Sequence, residues 1–249
     1  MNFLEMITSE DYNLMASLIE YPKELSYFNR IDNIYEKYLD IINKIKLNPD
    51  NEELIICYLY MFVQYHYYFT FVTFLRQHLS DSMFSLRKAI DAALTAYFII
   101  EEPDEVYNYL EKDNKFKNIK NTIKTIRTND SSKFILAKDL IVYHEECSEY
   151  GSHVDISSFI NRLDIEEISS DGTKKMNFGY FQIFKDKNEF IFKYIALLIA
   201  FLIILKIFKC FFIRKMKKIV IPHLEKELDE LEEELTNLGK KYHTMIKST

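Results

Sequence analysis

Glycine and proline are scarce in this chain, with four of each in 249 residues. Sandwiches and barrels turn often and draw on these residues to do so, so an all-β fold is excluded and long helices are expected. Tryptophan is absent, and aromatic burial falls to 20 Phe and 18 Tyr. Cysteine is sparse and unpaired in pattern: Cys57, Cys147 and Cys210 are far apart and odd in number. That excludes a disulfide framework and points to a reducing, intracellular setting. A basic excess is also missing. The net charge of −6 gives no global reason to hold nucleic acid. The first residues, MNFLEMITSEDYN, lack the basic start and apolar run of a secretory signal.

Several chemical motifs are absent too. No two glycines stand at phosphate-loop spacing, and no Gly-x-Ser-x-Gly elbow occurs. His144-Glu-Glu-Cys147 is not the zinc helix motif, and His144, Cys147 and His153 make only a short metal-ligand cluster. No metal and no cofactor is expected.

What remains is 48% hydrophobic and 28% charged, a globular balance. The abundance of Ile, Asn, Lys, Phe and Tyr suggests a bacterial genome rich in A and T. The expected fold is all-α: a multi-helix bundle over 1–213, then a basic hinge and heptad-repeat helix over 214–249. A first helix is expected from Glu10, capped by Thr8 or Ser9 and ended by Pro22. A second is expected over Ile31–Leu47, before the break Asn48-Pro-Asp-Asn51. Glu52 to Gln77 is apolar nearly all round, as in a large core or a membrane. Val106 to Thr128 reads as two helical pieces, with Lys117, Lys120, Lys124 and Arg127 on one face, either solvated or binding phosphate. A further helix, capped by Ser131 or Ser132, turns Leu136, Leu140, Tyr143 and Cys147 inward and stops at Gly151. A short hairpin is expected near 165–180, around Ser-Asp-Gly-Thr173.

Phe190 to Ile213 is the strongest apolar run. It reaches spanning length only with Lys193, Lys206 and Lys209 included, which favours a core helix paired with 52–77 over a membrane anchor. Leu224, Leu228, Leu231, Leu235, Leu238, Tyr242 and Met245 form a heptad seam. It serves either a protein partner or second copy, through 224–245, or the body of the same chain.

The helix around Ser82–Tyr97 organises the chain. Arg87 and Asp91 lie one turn apart on or beside its apolar face, and charges in such a place need partners. The expected partner is a later helix end bearing Tyr143, Ser148, Tyr150, Ser152 and His153. One reading is a buried ion pair tied to that end. The other is a pocket in which Arg87 binds an anion, Tyr143, Ser148, Tyr150 and Ser152 line the ligand, and His153 moves a proton.

SLRKAIDAALTAYFIIEEPDEVYNYL followed by YHEECSEYGSHVD resembles a family of uncharacterised helical bacterial proteins over residues 55 to 210. The resemblance implies a helical fold with the Phe190 helix in its core. More distantly the chain is similar to HEPN helical bundles, some of which are ribonucleases. It departs from their Arg-to-His spacing: no Arg precedes His144 or His153 at that distance, and Lys138 is the basic residue nearest His144.

Three functions follow as expectations. The first is a cytoplasmic helical protein acting through binding or assembly. The second is an enzyme acting on nucleotide or RNA phosphate through Arg87, Asp91 and His153. The third is a membrane-anchored protein held by 190–213.

Overall fold

The computed structural model describes residues 2–44, 52–151, 163–167, 174–179, 181, 184, 186–215 and 224–247. The fold is all-α. Ten α-helices and one two-stranded hairpin are found among the described residues.

The first helix, α1 (Phe3–Glu20), begins earlier than the sequence suggested. Asn2 is its cap: Glu5 N–H donates to Asn2 Oδ1 at 3.0 Å, and Asn2 N–H donates to Glu5 Oε2 at 2.9 Å. This reciprocal box satisfies two of the orphan donors of the first turn. Thr8 and Ser9 are interior instead, their hydroxyls donating to the carbonyls of Leu4 and Glu5. The next helix, α2 (Pro22–Ile42), starts at a proline in its first turn rather than at Ile31. Proline is suited there because the N–H it lacks would have no helical partner.

Two long helices follow as an antiparallel pair, α3 (Glu52–Leu75) and α4 (Leu79–Glu101). The turn between them is tight. His78 N–H donates to Thr73 O at 2.9 Å and Gln77 N–H to Phe74 O at 2.8 Å, the paired bonds that close a helix through a left-handed residue. Gln77 holds that left-handed place, with φ 67°. After a 3-10 turn at Pro103–Glu105 come α5 (Val106–Leu110), α6 (Asn114–Lys117) and α7 (Ile119–Asn129), more broken than the two pieces expected. Then α8 (Ala137–Gly151) packs along α4. Residues 131–136 are turns, with the Asp130 carboxylate accepting from Ser132 N–H, so the helix starts later than a Ser131 or Ser132 cap would set it. Leu140 and Cys147 are buried, and Leu136 and Tyr143 partly so. The hairpin pairs β1 (Leu163–Glu167) with β2 (Lys174–Phe178), Leu163 opposite Phe178.

The core is built on α9 (Lys187–Lys215), which at 29 residues runs for about 44 Å. It touches α2, α3, α4 and α8, and α10 (Leu224–Lys247) lies antiparallel along it. Burial on nearly every side explains why Tyr194 to Leu205 is apolar without period. By length and composition alone, this one helix among the described residues is apolar enough to cross a membrane.

The heptad seam of α10 closes on α9. Leu224, Leu228, Leu231 and Leu235 are buried, Leu238 and Tyr242 pack against the core, and Met245 is exposed. Of the lysines that interrupt the apolar run of α9, Lys193 pairs with Glu189 of the same helix at 3.6 Å, while the other two find acids on α10: Lys206 pairs with Glu232 and Asp229, and Lys209 with Glu225 at 3.2 Å. The stems lie on apolar surface while the heads reach carboxylates at the rim. Most of the expected hinge, 216–223, lies outside the described residues.

Candidate functional site

The residues that organise the site sit on α4 at helical spacing. Arg87, Lys88, Asp91 and Thr95 line one cleft, as positions three and four apart must share a side of the helix. The cleft measures about 1000 Å³. α4 and α3 line one part of it; Tyr109, Phe116, Lys117, Asn118 and Lys120 from α5 to α7 line another, with His144 from α8.

Arg87 and Asp91 do not form the buried ion pair of the first of the two readings. The imidazole of His144 stands between, with Nε2 3.0 Å from Asp91 Oδ1 and 3.4 Å from Arg87 Nε. One nitrogen cannot donate to the carboxylate and accept from the guanidinium at once. The carboxylate contact is shorter and charge-assisted, so we assign the proton to Nε2, donating to Asp91. Nδ1 is buried without a partner. This tautomer leaves a lone pair there rather than an N–H, the less costly of the two. The site is also wetter than expected. The His144 side chain is 6% exposed but that of Asp91 is 47% exposed, and Arg87 is half-buried.

The other expected residues divide. Ser148 donates its hydroxyl to the His144 carbonyl at 2.7 Å, inside its own helix. Tyr143 faces away from the cleft, lining a smaller hollow of about 230 Å³ with Ile195 and Ile199 of α9 and Gly239 and His243 of α10. Burial, then Glu146, pushes its hydroxyl up to about 12. Ser152 and His153 lie outside the described residues, as does the side chain of Tyr150. The expected meeting of Arg87 with Ser152 or His153 therefore lies there too, while the histidine that Arg87 does meet is His144, about two turns before the helix end.

His66 is a site residue that no sequence motif singles out. It is buried on α3, its Nδ1 2.8 Å from Ser85 Oγ, and it lines the cleft. Burial first, then the Lys88 charge, lowers its pKa, since removal from water and a nearby cation both disfavour imidazolium. A polar residue in an otherwise apolar stretch was the available signal.

The basic stripe of 117–127 splits in two. Lys117 and Lys120 reach the cleft, Lys120 also lying 3.6 Å from Glu145. Lys124 pairs with Glu145 at 3.1 Å, and Arg127 donates to the carbonyls of Lys133 and Phe134. The latter two are structural.

The α3 wall is aromatic and open. Tyr58, Met61, Phe62, Tyr65, Tyr68, Phe69 and Val72 are all exposed, and Tyr58, Phe62, Tyr65 and Phe69 line the cleft. Across from them stand Arg87, Lys88, Lys117 and Lys120, with Asp91 the one carboxylate among the described lining residues. Cys147 lies beside Met83, Sγ to Sδ 3.9 Å, and burial, then Glu146, pushes its thiol up to about 12. Such a thiol is a poor nucleophile and a poor ligand. No group of three His, Cys, Asp or Glu gathers for a metal among the described residues. No family model, no curated protein and no solved structure matches the chain, and the site stands on its own geometry.

Proposed function

We propose that the chain binds a small phosphate-bearing ligand with a planar ring, of nucleotide class, in the α3–α4 cleft. The carrying observation is the lining: four cations against one carboxylate, facing an exposed aromatic wall. A guanidinium grips phosphate by two prongs and lysines add point charge. Aromatic faces stack on a planar ring at roughly 1–3 kcal/mol per base. The charge is local, which is how a chain of net charge −6 holds an anion.

A second reading, turnover of the bound phosphate, is favoured by the Asp91–His144 couple. A carboxylate that faces the ligand and is held in place by an imidazole is a candidate proton carrier. In this reading Arg87 holds the phosphate and Asp91, its side chain 47% exposed, is the group that reaches the ligand, while His144, with Nε2 on Asp91 and Nδ1 buried, positions that carboxylate.

We assign the protein to the cytoplasm. Most of the apolar surface of α9 is used inside the bundle, and Cys57 and Cys147 are buried free thiols. Recovery of the chain in a membrane fraction that withstands carbonate would overturn this.

The test of the ligand reading is thermal shift and calorimetry with AMP, ADP, adenosine and inorganic phosphate. The nucleotides should raise Tm, by mass action on the folded state, and the nucleoside and phosphate alone should do so less. Arg87→Ala with Lys117→Ala should remove the shift while leaving the unliganded Tm near that of the parent. A Tm unmoved by all four at millimolar concentration would sink the reading.

A further inference from the structure

We infer that the outward face of α3 is a self-association surface, on which a second copy of this chain seats its own α3 antiparallel about a two-fold axis through Tyr65. No Asp, Glu, Lys or Arg occurs between Glu53 and Arg76. The exposed side of the helix is therefore uncharged along its length, and depletion of charge marks the centre of protein interfaces.

The positions of the stripe are symmetric about Tyr65. A two-fold axis there sets Tyr58 against Val72 of the copy, Met61 against Phe69, Phe62 against Tyr68, and Tyr65 against itself. All seven are exposed, by 37 to 61%. Each open apolar side chain thus meets another, the self-complementarity that an isologous contact requires.

The area suffices for a specific dimer. Taking roughly 200 Å² per side chain, the exposed fractions sum to roughly 600 Å² per copy, or about 1,200 Å² in all, the lower bound of specific interfaces. The heptad seam of α10, the competing apolar face, has Leu224, Leu228, Leu231 and Leu235 already buried against the body. Four residues of the stripe also line the cleft, so a copy seated there covers part of its aromatic wall, and the dimer and a ring-stacked ligand compete for those faces. The dimer needs no ligand, so its failure and the failure of the ligand reading are separable.

Sedimentation velocity of the full chain across the micromolar range should show twice the monomer mass. Tyr65→Asp puts two like charges on the axis and should return the mass to that of a monomer, with the helical circular dichroism unchanged. A second measurement does not depend on that variant folding. Helices in contact lie about 8–10 Å apart axis to axis, with Cα atoms about 2.3 Å from each axis, so residues on the two-fold come within disulfide reach. Tyr65→Cys should cross-link under mild oxidation, whereas Tyr12→Cys, exposed on α1, should not. A monomer throughout the range, a dimer that persists in Tyr65→Asp, or equal cross-linking at both positions would overturn the inference.

Discussion

The two sides of α3 carry the same residue types and meet opposite fates. On the inner side Tyr60, Tyr67, Phe71 and Phe74 are buried, and the tyrosine hydroxyls are provided for. Tyr60 donates to the carbonyl of Tyr35 at 2.7 Å, and Tyr67 to that of Phe28 at 2.8 Å. Tyr67 stacks on Phe28 with centroids 4.7 Å apart. On the outer side Tyr58, Phe62, Tyr65 and Phe69 face solvent and the cleft. Hydrophobicity alone does not tell these sides apart. What separates them is whether the rest of the chain supplies a partner: α2 and α9 cover one side, and the other is left for something outside the chain.

The largest effect expected from this contrast is at a place where cover is complete. Leu231→Asp with Leu235→Asp puts two carboxylates against α9, and burial of unpaired charge costs several kcal/mol. Denaturant unfolding should show a loss large enough to unfold most of the chain at 37 °C, and a parent-like midpoint would mean that α10 is dispensable cover. On α3 itself, Tyr67→Ala should cost about 3–5 kcal/mol, as large aromatic deletions in cores do. Tyr65→Ala should stay within about 0.5 kcal/mol of the parent when measured on the monomer. Equal losses at the two positions would erase the distinction between the sides.

His66 stands on the boundary, buried yet lining the cleft. Its folded pKa is depressed below the ordinary 6.5 by burial, then by Lys88. As pH falls through 6.5 the unfolded chain takes up this proton before the folded one does. Stability is therefore full above that pH and declines as pH drops towards the lowered folded value. The melting temperature should fall between pH 7 and pH 5.5, above the range in which carboxylates titrate. His66→Gln should flatten that fall, and an unchanged slope would mean that the ring is more solvated than its surroundings indicate. A gain rather than a loss is expected at the end of the same helix. Gln77 adopts a left-handed backbone that costs a residue with a Cβ about 1–2 kcal/mol. Gln77→Gly should recover about 1 kcal/mol of that, read from the urea midpoint.

The elements legible in the sequence are those whose period or punctuation is local. The seam of α10 follows from its alternation of fours and threes. The end of α4 follows from Glu-Glu-Pro103, and the hairpin from its turn residues. The starts of α1 and α2 were hidden because Asn2 and Pro22 are good first residues that look like loop when read from the wrong side. Spacing put Arg87 and Asp91 on neighbouring positions of one helix. It carries no information on which turn of α8 comes alongside, and a shift of two turns separates His144 from the 150–153 cluster. His66 and the outward stripe were missed for a related reason: in a helix apolar all round, no periodicity marks the side left uncovered.

The charge register between α9 and α10 has a consequence for the order of synthesis. Chains emerge at about 5–20 residues per second, so α10 follows α9 from the ribosome by a few seconds. During that interval the most apolar helix of the protein has α1 to α8 to fold against and lacks its outer cover. Lys206 and Lys209 meanwhile stand on its bare side, their charges unpaired by α10 until Glu225, Asp229 and Glu232 arrive. The two residues that tie α10 to α9 in the finished bundle are thus the last on that helix to gain their partners.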